Sequence, residues 1–179
     1  VPNCINEERM KITPEIEEKA HKIRKENEGK TICVAVGRHT EYKGFTYLIQ
    51  ASKLLDDKFK IFISGTGELT ESLKKEAAND SKITFTGRIE DEDLKAYILA
   101  CDIFCFPSIT KNEAFGVALA EAMYYGKPAV TFHISGSGVN YVCLDKVSGL
   151  EVENRNVSKY AEALLYLAEN KSVRQEYGK

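Results

Sequence analysis

The side chains best placed for chemistry are two cations flanked by glycines and two carboxylates with a glycine between them. Arg38 and Lys43 bracket the segment His39-Thr-Glu-Tyr42, and Gly44 follows. A lysine at the expected start of a helix is disfavoured by the positive end of the helix dipole. An anion lying over the turn removes that conflict, because helix amides and two cations then converge on it, which suits a phosphate or diphosphate. Either residue alone is better explained as a solvated surface side chain; together they favour the anion. Glu113 and Glu121 are separated by seven intervening residues, Gly116 among them, so Glu113 should lie in a loop and Glu121 on the second turn of a helix. Carboxylates beside a diphosphate would be repelled by it, which leaves sugar hydroxyls as their natural partners. The plainer account makes Glu113 a helix-start stabiliser and Glu121 a surface residue.

Other candidates carry less. Gly65-Thr-Gly67 lacks the third glycine of a dinucleotide fingerprint, since Thr70 stands in its place, so NAD binding is disfavoured. Asp91-Glu-Asp93 has the spacing of an acidic metal-binding element, but it opens a helix, where acids complement the dipole and cap free amides. No metal is therefore expected. His21, His39 and His133 fall in separate segments and form no Ser-His-Asp or Cys-His set. The five cysteines, Cys4, Cys33, Cys101, Cys105 and Cys143, are scattered through mostly apolar runs and read as reduced core thiols rather than a disulfide or zinc framework.

Positioning these groups requires a particular frame. Strands are expected at 31–36, 59–63, 82–86, 102–106, 128–132 and 149–152, and helices near 14–27, 43–56, 68–79, 91–100, 116–125, 137–144 and 157–169. Strand and helix alternate throughout, and the strands are apolar on both faces. Parallel βαβ units with right-handed crossovers follow, which makes a doubly wound α/β sheet of Rossmann type, of about six strands with helices on both faces, the economical fold. Such a sheet binds ligands beyond the C-terminal ends of its strands. Those positions hold Gly37-Arg38, Gly65-Thr-Gly67, Gly87-Arg88-Ile89, Pro107-Ser108 and Ser135-Gly136.

The 179 residues suffice for one well-buried domain. With 43% hydrophobic and 29% charged residues and a net charge of -2, disorder and general nucleic-acid binding are disfavoured. No apolar run reaches the ~18 residues of a membrane span, so any membrane contact is expected to be peripheral.

The series Gly37-Arg38 to Lys43-Gly44, Gly65-x-Gly67, Gly87-Arg88, Pro107-Ser108, Glu113-x-Phe-Gly116 to Glu121-Ala122 and Gly126-x-Pro128 closely resembles the C-terminal domain of family 4 glycosyltransferases, the second half of a GT-B fold. The resemblance spans roughly residues 31–152 in order. It implies an excised nucleotide-sugar-binding domain, residues 1–179, whose N-terminal acceptor-binding domain is missing, from an enzyme of polysaccharide or glycolipid assembly. It also implies retaining transfer from a nucleoside diphosphate sugar with no cofactor and no essential metal, in the cytoplasm or at the inner membrane face.

By the same resemblance, Arg38 and Lys43 hold the diphosphate and stabilise its charge as it leaves. Glu113 and the backbone of Ala114, Phe115 and Gly116 contact the donor sugar, Glu121 binds ribose, and Arg88 and Ile89 hold the base beside the Gly67 turn. One departure stands out: many members carry Gly-Gly-x-Pro-Glu where this chain reads Gly136-Ser-Gly-Val-Asn140. Small-residue versions of this turn occur in relatives assigned to mannosyl or rhamnosyl transfer, which tilts the expectation toward those donors. A non-catalytic nucleotide-sugar sensor and half of a sugar-nucleotide epimerase remain alternatives, to be separated by the sequence upstream of Val1.

Overall fold

The computed structural model describes residues 5–112 and 116–179. Six strands, β1 (Thr31–Val36), β2 (Phe59–Ser64), β3 (Ile83–Gly87), β4 (Ile103–Phe106), β5 (Ala129–Phe132) and β6 (Gly149–Val152), form one sheet in the order β3-β2-β1-β4-β5-β6. Every pairing is parallel. The helices are α1 (Pro14–Glu26), α2 (Phe45–Ser52), α3 (Thr70–Glu76), α4 (Asp91–Ala100), α5 (Val117–Tyr124), α6 (Val139–Val142), α7 (Val157–Glu169) and α8 (Lys171–Tyr177). This is the doubly wound α/β sheet expected from the alternation, with the strand order reversing between β1 and β4. Ligands of such sheets enter at that reversal.

The sheet is buried on both faces, which explains the unbroken apolar strands. One face packs Ala35, Ile61, Ile63 and Cys105 with Phe45, Leu48 and Ile49 of α2 and Tyr160 and Leu164 of α7. The other packs Ile32, Val34 and Phe104 with Ile98 of α4, Leu119 and Ala122 of α5 and Val139 of α6. Burying each large aliphatic or aromatic side chain contributes about 1.5–3 kcal/mol before the entropy of ordering it is subtracted. Tyr160 is fully buried, yet its hydroxyl donates to the Val130 carbonyl at 2.8 Å, so the burial leaves no polar group stranded.

Local signals set the helix ends. Thr13 accepts the Ile16 amide at 3.3 Å and Pro14 occupies the first turn, so α1 starts at residue 14 even though the charge-dense segment begins earlier. Its buried face, Ile16 and Ala20, meets Ala96 and Ala100 of α4. Asn156 accepts the Lys159 amide at 3.0 Å and starts α7.

Several helices are shorter than the periodicity predicts. The expected helix at 43–56 is divided: a single 3-10 turn covers Glu41–Lys43, Gly44 takes a left-handed φ of 67°, and α2 begins at Phe45. The helix expected over 137–144 is only the single turn Val139–Val142, flanked by the conformationally permissive Gly136 and Gly138. A final helix, α8, was not expected; Asn170 interrupts the pattern, and Val173 and Tyr177 pack back against the first core face.

Candidate active site

The C-terminal edge of the sheet carries an open cleft of about 490 Å³ lined by Val36, Gly37, Arg38, Ser64, Gly65, Thr66, Gly67, Arg88, Ile89 and Leu94. Three successive strands thus deliver to one place the turns singled out in the sequence. Arg38 and Arg88 are exposed, Ile89 is half-buried, and Leu94 of α4 supplies a further apolar wall.

The turns after β1 and β2 touch at backbone distance. A Cβ added to Gly65 would stand 2.1 Å from the Gly37 carbonyl oxygen, and one on Gly67 would stand 2.6 Å from the carbonyl oxygen of His39. Glycine is therefore needed at both positions for closeness of approach, and Gly65 additionally has a φ of +102°.

Lys43 reaches the same place from the other end of the loop. Its Cδ and Cε would lie 3.4 Å from a Cβ on Gly37, so its aliphatic stem passes over that glycine. Its Nζ lies 5.4 Å from the ring centres of both Tyr42 and Phe106. The Phe106 ring in turn approaches to 3.2 Å of where Gly116 would carry a Cβ, and Gly116, at φ +74°, is the left-handed residue that opens α5. Lys43, Phe106 and Gly116 thereby form one chain of contacts beside Gly37 and the exposed Arg38. Phe106 was not anticipated as part of it; its sign in the sequence is the aromatic that ends β4 just before Pro107.

Glu121 lies on the second turn of α5, as the spacing predicts, with a side chain 15% exposed. Burial pushes its carboxyl above the ordinary value, while Arg9 pulls the other way. Arg9 bridges it to the α4 start, lying 3.9 Å from Glu121 Oε1 and 3.2 Å from Asp91 Oδ1. The expected sites Glu113, Ala114 and Phe115 lie outside the described residues, as does Cys4.

Asp91 and Asp93 serve in ion pairs, Asp91 with Arg9 and Lys95 at 3.2 and 3.1 Å and Asp93 with Lys19 at 2.8 Å. The amide capping expected of this acidic run is not seen, because Glu90 occupies the cap position of α4 and makes no side-chain cap bond. Cys33, Cys101, Cys105 and Cys143 are buried and free. Burial raises the Cys101 thiol to about 12 and the Cys143 thiol to about 11, so both are protonated, inert core groups at neutral pH.

The amide at position 140 has a structural cause. Asn140 Nδ2 donates to Glu151 Oε2 and lies 3.2 Å from His133 Nδ1, which itself meets Glu151 Oε1 at 2.7 Å. An acid at 140 would confront Glu151 with a like charge, whereas the amide supplies a donor.

The family model for glycosyl transferases group 1 matches residues 16–179. The chain belongs to this family. Among curated relatives of this glycosyltransferase domain, it is 30% identical over 156 residues to O-antigen chain mannosyltransferase C of Escherichia coli, covering 86% of this chain and 41% of that protein. It is 31% identical over 157 residues to D-rhamnosyltransferase WbpZ of Pseudomonas aeruginosa, covering 87% of this chain and 40% of that one. The chain thus spans about two fifths of the length of these relatives. In fold, it superposes on the crystal structure of Anabaena Alr3699/HepE in complex with UDP and glucose with a TM-score of 0.86 at 18% identity, covering 99% of this chain and 49% of that chain. The GT-B glycosyltransferase C-terminal domain expected from the ordered motifs is the fold observed.

Proposed function

We propose that this chain is the donor-binding half of a retaining glycosyltransferase that takes a nucleoside diphosphate sugar and, with a preceding acceptor domain, transfers the sugar to a polysaccharide or glycolipid acceptor. The observation that carries this reading is the placement of Arg38 and of the Lys43 stem at Gly37, beside the Gly65-Thr-Gly67 turn, at the strand-order reversal of the sheet.

In this reading the diphosphate lies over Gly37. Arg38 and Lys43 neutralise it, and they contribute most as the sugar departs and charge accumulates on the leaving phosphate. No proton needs to reach the leaving group if two cations already hold it. Lys43, with its stem over Gly37 and its ammonium near Phe106, is held in a partly apolar setting in which a charge-assisted contact is strengthened. The base lies toward Arg88, Ile89 and Leu94, and the ribose toward Glu121, which exchanges its distant pairing with Arg9 for ribose hydroxyls.

The donor sugar is assigned to Glu113 and the backbone of Ala114, Phe115 and Gly116, as the resemblance implies. A carboxylate there contributes more as positive charge develops on the sugar ring, and so acts on turnover. The assigned roles need no cofactor and no divalent metal. Mannosyl or rhamnosyl transfer is the donor class proposed, on the small-residue turn ending in Asn140 and on the named activities of the curated relatives. Cytoplasmic residence, with membrane contact only through the acceptor domain, belongs to the same proposal. Among the described residues no helix is long and apolar enough to cross a membrane.

Calorimetric titration of the chain with UDP, GDP and dTDP sugars, in the presence of a chelator, tests the reading. Binding of at least one of them is expected. A folded chain that binds none at millimolar concentration, or binds only when a divalent metal is added, contradicts it.

A further inference from the structure

We propose that His39 and Thr70 form a positioning pair that fixes the Gly65-Thr-Gly67 turn against the Arg38 loop and so shapes the floor on which the diphosphate lies. The inference rests on the donor-binding reading and assigns a role to two residues that do not line the cleft.

Thr70 stands where a dinucleotide fingerprint would carry its third glycine, and the structure gives its side chain a use. Its hydroxyl oxygen accepts the Gly67 amide at 2.8 Å and lies 2.8 Å from His39 Nδ1. A hydroxyl carries one donor and two lone pairs, so Thr70 Oγ1 takes the Gly67 amide and still exchanges a hydrogen bond with Nδ1, in the direction that the imidazole tautomer sets.

The backbone of His39 closes two further links: its amide donates to the Thr66 carbonyl at 3.1 Å, and its carbonyl accepts the Leu69 amide at 3.0 Å. The turn after β2 is thus held to the loop after β1 through residues 66, 67, 69 and 70. The ring cannot swing away. It is fully buried, with Phe45 of α2 edge-on at 5.3 Å and Phe85 of β3 edge-on at 6.1 Å.

The surroundings keep the ring neutral. Burial lowers its pKa, Lys74 of α3 adds to the effect, and the Ser64 backbone of β2 opposes it, although Nε2 makes no hydrogen bond of good geometry. The contact with Thr70 needs no charge on the ring: a neutral imidazole either donates to the hydroxyl oxygen or accepts its proton at Nδ1. Any displacement of His39 is passed directly to the cleft, because a Cβ on Gly67 would already lie 2.6–2.9 Å from the His39 backbone.

The test compares Thr70→Val, which keeps the shape and removes both hydrogen bonds, with Thr70→Ser, which restores the hydroxyl; Thr70→Ala replaces the valine if that variant misfolds. Two quantities are read on the 179-residue chain: the hydrogen-exchange rate of the Gly67 amide by NMR, and the affinity for UDP and GDP. Loss of one tether should weaken the diphosphate by about threefold to tenfold and accelerate Gly67 exchange, with serine returning both to within about twofold of wild type.

Unchanged affinity in a folded Thr70→Val chain, or a serine variant that fails to restore it, overturns the positioning role. If the wild-type chain binds neither nucleotide, the donor-binding reading fails instead. Gly67 exchange then still decides whether the pair holds the turn, and an exchange rate indifferent to Thr70→Val overturns that as well.

Discussion

Replacing Gly65 by alanine tests whether the contact between the first two turns shapes the site. Two costs are expected. At a φ of +102° an L side chain is strained, and left-handed backbone costs an ordinary residue about 1–2 kcal/mol. The new Cβ would also stand 2.1 Å from the Gly37 oxygen and 3.0 Å from its carbonyl carbon. That neighbour is backbone, tied in by the Gly37 amide bonding the Ser64 carbonyl at 3.3 Å, so the strand ends must part. Forced shifts of this kind add about 1–3 kcal/mol, giving a total of about 2–5 kcal/mol. Gly87 is the control: its φ is +71°, but a Cβ there meets nothing within 4 Å, so Gly87→Ala should cost only the conformational part, about 1–2 kcal/mol. Urea unfolding of both variants measures the difference. Equal destabilisation would refute the claim that close approach, rather than backbone freedom alone, requires Gly65.

Arg38→Ala, at an exposed position, should weaken UDP or GDP binding by about 1.5–3 kcal/mol in calorimetry while leaving the melting temperature within a degree or so, the signature of a ligand contact rather than a fold contact. Glu121→Gln should do two opposite things. The folded pKa of this acid is raised, so the ionised form opposes folding at pH values above it; the amide should therefore raise the melting temperature at neutral pH, yet weaken nucleotide binding through the lost ribose contact. Asp80 behaves in the reverse sense. Burial pushes it up, but bonds from Ser52 and Lys82 outweigh that and leave it below its ordinary value, so its stabilisation is present above the unfolded pKa and lost as pH falls through the folded one. Asp80→Asn should thus cost about 1–3 kcal/mol at neutral pH and far less in acid, as read by urea titrations at both.

The frame was legible because it is written in local pattern. Runs rich in β-branched and small apolar residues, such as Thr31–Val36, mean burial on two faces, and their alternation with amphipathic stretches leaves a doubly wound parallel sheet as the simple arrangement. Arg38, Gly67, Arg88 and Ile89 were legible because each follows a strand, and the ends of parallel strands share an edge. Contacts between distant segments were not legible. Thr70 looked like a missing glycine until its hydroxyl was seen between Gly67 and His39, and Asn140 looked like a lost acid until Glu151 appeared beside it. The Arg9 bridge to Glu121 and Asp91 joins three segments that no periodicity connects. Helix lengths were overestimated where a left-handed glycine such as Gly44 ends one turn and begins another, because apolar spacing continues across a break in backbone conformation.

Chemical-shift mapping of the labelled chain during titration with a nucleoside diphosphate tests the central claim most directly, because a second basic cleft supplies a built-in alternative. That cleft, of about 490 Å³, opens at the N-terminal end of β1 and is lined by His21, Arg24, Lys25 and Lys30 among others. The donor-site account predicts that the large shifts fall on Gly37, Arg38, Lys43, Gly65, Gly67, Arg88 and Ile89 and disappear in Arg38→Ala. Shifts concentrated on His21, Arg24 and Lys30 and unaffected by Arg38→Ala would contradict it.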